Sequence, residues 1–186
     1  MRLPSYTFGI ILAFLLQAGL LGWIVYDRAQ LLANGKVINL AVVPIDPHDL
    51  FRGDYVTLNY PISSVRSDAL AGDDAFHVGD AIHVTLDDHG AATAISHEPP
   101  ASGTFLTGTV ENVDERTACD NADTCWTYGV TYNLEKFFVP EGTGRELEGL
   151  RNEQRISVDV AVAGDGRAAL KRLLVDGQPR FEEAPY

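Results

Sequence analysis

Ser63, Ser64 and Lys136 are the side chains from which this chain could build a nucleophile. A lysine kept neutral by burial takes the proton of a serine hydroxyl, and the freed oxygen attacks a carbonyl carbon. A hydrolase of this kind needs the amine out of water and within hydrogen-bond reach of one serine. Asp46, Asp49 and Asp54 offer a second chemistry, because their oxygens could hold a divalent cation. Their spacing lacks the alternate-residue cadence of a calcium loop, so turn-forming carboxylates that pair with Arg52 are expected, and no metal. Asp73 and Asp74 read as a solvated loop. The histidines at 48, 77, 83, 89 and 97 contain no H-E-x-x-H and no close pair, so exposed or singly bonded imidazoles are expected. With a turn at Asp88-His89, His83 should face about Ala94 and not His97. Gly142-Thr143-Gly144 lacks the third glycine and the following lysine of a phosphate cradle, and no cofactor is expected.

Cys119 and Cys125 enclose the polar segment Asp120-Asn121-Ala122-Asp123-Thr124, which reads as a loop tip between two strands. C-x5-C is not the spacing of a redox or zinc site, and there is no second cysteine pair to complete a tetrahedral set. A disulfide here would contribute roughly 2–3 kcal/mol in the chain-entropy model. It would also imply an oxidising compartment; two free thiols in a reducing one is the alternative.

These groups must be positioned by a chain of 186 residues that opens on an apolar run, residues 6–26, without a charged side chain. At 1.5 Å per residue such a helix is roughly 30 Å long, the thickness of a bilayer's hydrocarbon. Gln17 is its one strongly polar side chain, and Tyr6, Trp23 and Tyr26 lie near its ends, where amphipathic rings prefer to sit. A cleaved signal has a shorter apolar core and a small-x-small exit, whereas this run leaves through Tyr26-Asp27-Arg28. A buried core helix is disfavoured because the run has no polar face. The expected division is a short head (1–5), a transmembrane helix (6–26) continuing to about residue 33, and one β domain (36–186). Asn34-Gly35 is expected to end the helix in a left-handed conformation and to hold the domain slightly off the lipid. No Pro- or Ser-rich linker follows, so the connection should be short.

Arg2 precedes the run and Arg28 and Lys36 follow it, which leaves the positive-inside count ambiguous. A short N-terminal head normally stays in the cytoplasm. With the cysteine pair, this makes a single-pass protein with an extracytoplasmic domain the expected arrangement. The net charge is −12, with lysine only at positions 36, 136 and 171. Such a field repels phosphate backbones and anionic headgroups, so nucleic acid and a polybasic lipid patch are disfavoured and no nucleic-acid partner is expected; keeping the domain soluble is the simpler role of the acidity.

Past residue 36 the periodicity is that of strands. Residues 36–43 read as a buried strand, and 55–62 alternate with Val56, Leu58, Tyr60 and Ile62 on one face. Segments 81–86 and 91–97 flank Asp87-Asp88-His89-Gly90, and 155–162 and 167–175 flank Gly164-Asp165-Gly166, both hairpin signals. Segments 104–113 and 126–139 flank the cysteine loop. A short helix is expected over 145–152 and a turn over 64–71. The fold class that follows is mainly β, an antiparallel barrel or sandwich-like domain with one or two short helices.

The densest local pattern is Asp46-Pro47-His48-Asp49-Leu50-Phe51-Arg52-Gly53-Asp54-Tyr55-Val56-Thr57-Leu58-Asn59-Tyr60. Pro44 and Pro47 stop a strand, and Gly53-Asp54 suits a tight turn feeding the next one. Gly53, Asp54, Tyr55, Leu58 and Tyr60 fill every fixed position of G-D-Y-x-x-L-x-Y. In this block the chain resembles the GDYXXLXY family of bacterial membrane-anchored proteins. A second block, from Phe137-Phe138-Val139-Pro140-Glu141-Gly142 to Glu146, is similar to the family as well. Relatives often carry Tyr-Gly just upstream, where this chain has Tyr132-Asn133, and Asn is the commonest non-glycine in a left-handed backbone. The resemblance implies an N-terminal anchor and one domain, and it implies no activity. Arg52-Gly53-Asp54-Tyr55-Val56 is also similar to the turn of membrane-anchored signal peptidases, which use a Ser–Lys dyad. Those enzymes place their serine before that turn, and no matching serine stands there.

The functional expectation is a non-catalytic module that contacts another membrane or envelope protein and binds the bilayer through its helix. Asp46, Pro47, Asp49, Arg52, Gly53, Asp54, Tyr55, Leu58 and Tyr60, with Phe138, Pro140, Glu141 and Gly142, are its expected working surface. The alternative is a membrane-bound hydrolase using Ser63 or Ser64 with Lys136. Phe137, Phe138, Tyr55 and Tyr60 could line a groove, although core packing is the commoner fate of such rings.

Overall fold

The computed structural model describes residues 5–44, 55–117, 119, 124–140 and 143–183. The apolar run is helical as α1, Ser5–Asn34. From Gly9 to Tyr26 its side chains are exposed, so the domain does not cover them, and a core helix is ruled out. By length and composition α1 is a membrane span or a signal sequence.

The last two turns of α1 behave differently. Leu31 and Leu32 are buried against Ala169, with Ala163 beside them. Lys171 donates its Nζ to the Leu32 carbonyl at 2.9 Å, satisfying one of the acceptors that a helix C-terminus leaves open. Arg28 pairs with Glu183, and Asp27 with Arg167, which also holds Asp165. The segment past Tyr26 is therefore seated on the domain. The helix does not end in a left-handed residue, since neither Asn34 nor Gly35 has positive φ. Gly35 is required for room: a Cβ there would lie 2.6 Å from the Leu31 carbonyl oxygen and 3.0 Å from the Ala161 Cβ.

The strands among the described residues are, in chain order, β1 Lys36–Ala41, β2 Tyr55–Thr57, β3 Ser64–Arg66, β4 Ala71–Gly72, β5 Ala81–Leu86, β6 Ala92–Ser96, β7 Thr104–Arg116, β8 Cys125–Thr131, β9 Lys136–Phe138, β10 Ile156–Val162, β11 Ala168–Val175 and β12 Gln178–Glu182. Helix α2, Gly144–Asn152, lies where the sequence predicts a short helix. The sheets are β1-β10-β11-β12, the pair β2-β9, and β3-β8-β7-β5-β6-β4. All pairings are antiparallel except the two-residue β4–β6 bridge. The result is mainly β, a curled half-barrel of sheet preceded by one apolar helix. One continuous core joins the sheets, from Ile38 and Leu40 through Val84 and Leu106 to Val158 and Leu173.

Four expectations are corrected. β1 is an edge strand whose residues alternate between core and solvent, not a strand buried on both faces. Segment 55–62 keeps its inward row, Val56, Leu58, Tyr60 and Ile62, but leaves the ladder after Thr57 and closes in a 3-10 turn, Pro61–Ser63. Segment 126–139 is broken between β8 and β9 by Asn133, whose φ of 59° turns the chain. His83 pairs with Ser96 rather than with Ala94: Asp87 donates its N–H to the Ala91 carbonyl, which makes the turn one residue longer than Asp88-His89, and a bulge at Thr85/Leu86 adds the second residue of shift.

Two features beyond the expectations complete the sheets. β12 follows a turn at Asp176-Gly177, with φ of 50° and 76°, the backbone of a two-residue hairpin. Residues 64–71 contain β3 and the start of β4 around the expected turn. The β7–β8 hairpin is clasped by the Cys119–Cys125 disulfide, with Cα atoms 5.9 Å apart. Cys125 is buried at the start of β8 and sits opposite Arg116.

Candidate functional site

β2 and β9 form a ribbon of three residues each, in which Tyr55 faces Phe138, Val56 faces Phe137 and Thr57 faces Lys136. The antiparallel register brings the entry to β2 and the exit from β9 to the same end. Three residues per strand are too few to hold a ribbon alone, and the surroundings supply the rest. Leu58 extends the pairing by donating its N–H to the Glu135 carbonyl at 2.8 Å. Tyr60 donates its hydroxyl to the Leu134 carbonyl at 2.6 Å, and Tyr132 donates to the Ile62 carbonyl at 2.8 Å. Both phenols are pushed far above their ordinary range by burial first and by the Glu135 charge second. They act as fixed donors.

Helix α2 packs over β2. Its Leu147 is buried, and so is Arg151 one turn further along the same face. Arg151 donates Nη1 to the Thr57 carbonyl at 3.0 Å and reaches Asn152 Oδ1 with Nε and Nη2. A guanidinium under a strand is costly unless its donors are used, so this contact ties helix and ribbon into one unit. An arginine on the apolar face of α2, four residues after Leu147, was the available signal.

The ribbon joins the two blocks singled out in the sequence. A family model described as GDYXXLXY protein matches residues 17–173. The chain belongs to the GDYXXLXY family. No curated protein and no solved structure matches it. The match starts inside α1 and ends in β11, so it includes the helix seat as well as the ribbon.

Of the motif's fixed positions, Gly53 and Asp54 lie outside the described residues, as do Asp46, Pro47, Asp49, Arg52, Glu141 and Gly142. Tyr55 contributes its backbone to the ribbon. Leu58 and Tyr60 are 1 % exposed, so these two are core and not working surface, because the strand's period of two turns them inward. Phe137 is core for the same reason. Phe138 is 76 % exposed, and Lys136 and Pro140 are exposed with it.

Ser63, Ser64 and Lys136 are not brought together as a dyad. Ser63 Oγ is buried and has no hydrogen-bond partner, and Ser64 is an exposed residue of β3 opposite Gly129. Lys136 is exposed and lines a cleft of about 450 Å³ with Arg28, Asn133, Phe138, Pro140 and Phe181, in which no serine takes part. The desolvated amine that the dyad mechanism needs is missing from this arrangement.

Among the described residues the histidines do not converge, and His48 lies outside them. His83 is buried, with Nδ1 at 3.0 Å from Thr107 Oγ1 and its ring edge-on to Phe105; burial lowers its pKa below the ordinary histidine range. His97 stacks on Phe76. Asp73 accepts the His97 N–H, and the Asp74 carbonyl accepts from Tyr128. Asp68 lies within ligand distance of both cysteine sulfurs, but those sulfurs are bonded to one another and are not thiolates. Sequence reasoning also passed over Asp159, a buried carboxylate that binds Arg172 at 2.6 Å and Asn39 at 2.9 Å in a polar row across β1, β10 and β11. Its signal was a lone charge between Val158 and Val160.

Proposed function

We propose that this is a single-pass membrane protein whose β domain lies on the periplasmic side of a bacterial inner membrane. It acts by contact with another membrane or envelope protein, not by catalysis. The observation that carries the reading is the ribbon. Two blocks of motif sequence, distant in the chain, meet as β2 and β9, so that the start of β2 and the end of β9, with the exposed Pro140 after it, lie together. A tied-down ribbon that brings two distant motif blocks together suits recognition. The bilayer placement is supported by the exposed apolar length of α1, and by its last turns being part of the domain's packing. The periplasmic placement is supported by the Cys119–Cys125 bond, since such bonds persist in oxidising compartments.

A photoreactive side chain at Pro140, in the full-length chain in native membranes, should give a discrete adduct with one protein. The same group at Val78, in a separate cleft, should not. Equal labelling at both positions, or none at Pro140, overturns the contact reading. Recovery of the full chain in the supernatant after a high-pH wash overturns the anchor, and a C-terminal reporter active only in cytosol overturns the orientation.

A further inference from the structure

The row that β9 turns outward is cationic, then aromatic. Along residues 136–140 exposure alternates: Lys136, Phe138 and Pro140 face out, while Phe137 and Val139 are buried. A phenylalanine that is 76 % exposed stands out among the rings of this domain, where Phe76, Phe105 and Phe137 are all buried. The row has a fixed position relative to α1, because Lys136 and Phe138 share a cleft with Arg28, the second residue after the apolar run. Arg28 is held there by Glu183, itself tied through its N–H to the Lys171 carbonyl in β11.

Resting on the reading of α1 as a membrane span, these distances set a depth. Two residues of helix advance roughly 3 Å, and the headgroup layer of one leaflet is roughly 5–7 Å thick. A cleft lined by Arg28 therefore opens at the level of the headgroups. An exposed aromatic flanked by a long cationic side chain suits that layer, where the ring enters the acyl boundary and the ammonium stays with the phosphates.

We infer that Lys136 and Phe138 form a second membrane contact, seated in the phospholipid headgroup layer beside the exit of α1. Phe138 then belongs to the lipid-facing side of the ribbon, and Pro140 to its partner-facing end. Glu182 and Glu183 line the same cleft, which offsets Lys136 and Arg28, so the contact is apolar in origin and does not depend on anionic lipid.

The test uses the full chain in phosphatidylcholine nanodiscs, with a nitroxide on a single introduced cysteine. The native cysteines are occupied with one another. Labels at Phe138→Cys and Lys136→Cys should be several-fold less accessible to an aqueous nickel chelate than a label at Val78→Cys. Their oxygen accessibility should lie between the two reference labels, above that at Val78→Cys and below that of a label at Leu16→Cys. Replacing half the lipid by phosphatidylglycerol should leave the values unchanged. A Phe138 label as open to the chelate as the Val78 label, with Leu16 still reading hydrocarbon, overturns the lipid contact and spares the anchor. A Leu16 label that reads water removes both. A Phe138 label shielded from chelate and oxygen alike means a protein contact and overturns the proposal.

Discussion

The four-stranded sheet and the β2–β9 ribbon are both antiparallel, yet they are held by different means. The sheet has ladders of four to seven paired residues and carries its own register, with the polar row of Asn39, Asp159 and Arg172 added on the side that receives α1. The ribbon has three paired residues, and its neighbours supply the rest: two buried phenols, one buried guanidinium and a helix. The sheet is a scaffold by its own hydrogen bonds, whereas the ribbon exists only because the fold closes around it. A site held this way can be lost without unfolding the domain.

That contrast breaks most sharply at Arg151. Arg151→Leu leaves the Thr57 carbonyl without its donor and should cost roughly 2–4 kcal/mol in urea denaturation. Hydrogen exchange should rise in β2 and β9 before β10 and β11. Uniform acceleration across both regions would mean that ribbon and sheet open as one unit. In the scaffold, Asp159→Asn keeps the shape and weakens only the pair with Arg172, for an expected loss of about 1–2 kcal/mol with ribbon exchange unchanged. A larger loss than for Arg151→Leu would reverse the ranking.

Tyr60→Phe removes one hydroxyl from the ribbon's support and should lower stability by about 1 kcal/mol, readable as a shift in urea midpoint at constant slope. The smallest effect belongs to His83, between β5 and β7. Its folded pKa lies below the ordinary value of 6.5, so the unfolded chain takes up a proton that the folded one resists. The stability it contributes is complete above about pH 6.5 and is lost as pH falls through the folded value. His83→Gln should therefore flatten the drop in Tm between about pH 7.5 and 5.5. An equal drop in both proteins would mean another group is responsible.

Local signals carried much of the scaffold. Asp87-Asp88-His89-Gly90 and Gly164-Asp165-Gly166 each join strands adjacent in sequence, and turn chemistry acts over four residues, so both hairpins were legible. Asp176-Gly177 carries a signal of the same kind and went unread. The inward row Val56, Leu58, Tyr60 and Ile62 was legible from its period, but its exit from the ladder after Thr57 was not, because that depends on β9 arriving from elsewhere in the chain. The Ser–Lys pairing failed for the same reason: residue type gave chemistry without distance.

Alone, the amino-acid sequence determined the apolar helix, the β5–β6 and β10–β11 hairpins and the family, since each rests on neighbours within a few residues or on a pattern of types. Only the tertiary structure decided that Tyr55 meets Phe138, that Arg151 is buried beneath Thr57, that Gly35 needs room rather than a left-handed φ, and that Phe138 faces out beside Arg28. Those are contacts between segments far apart in the chain, fixed when one core satisfies every sheet at once.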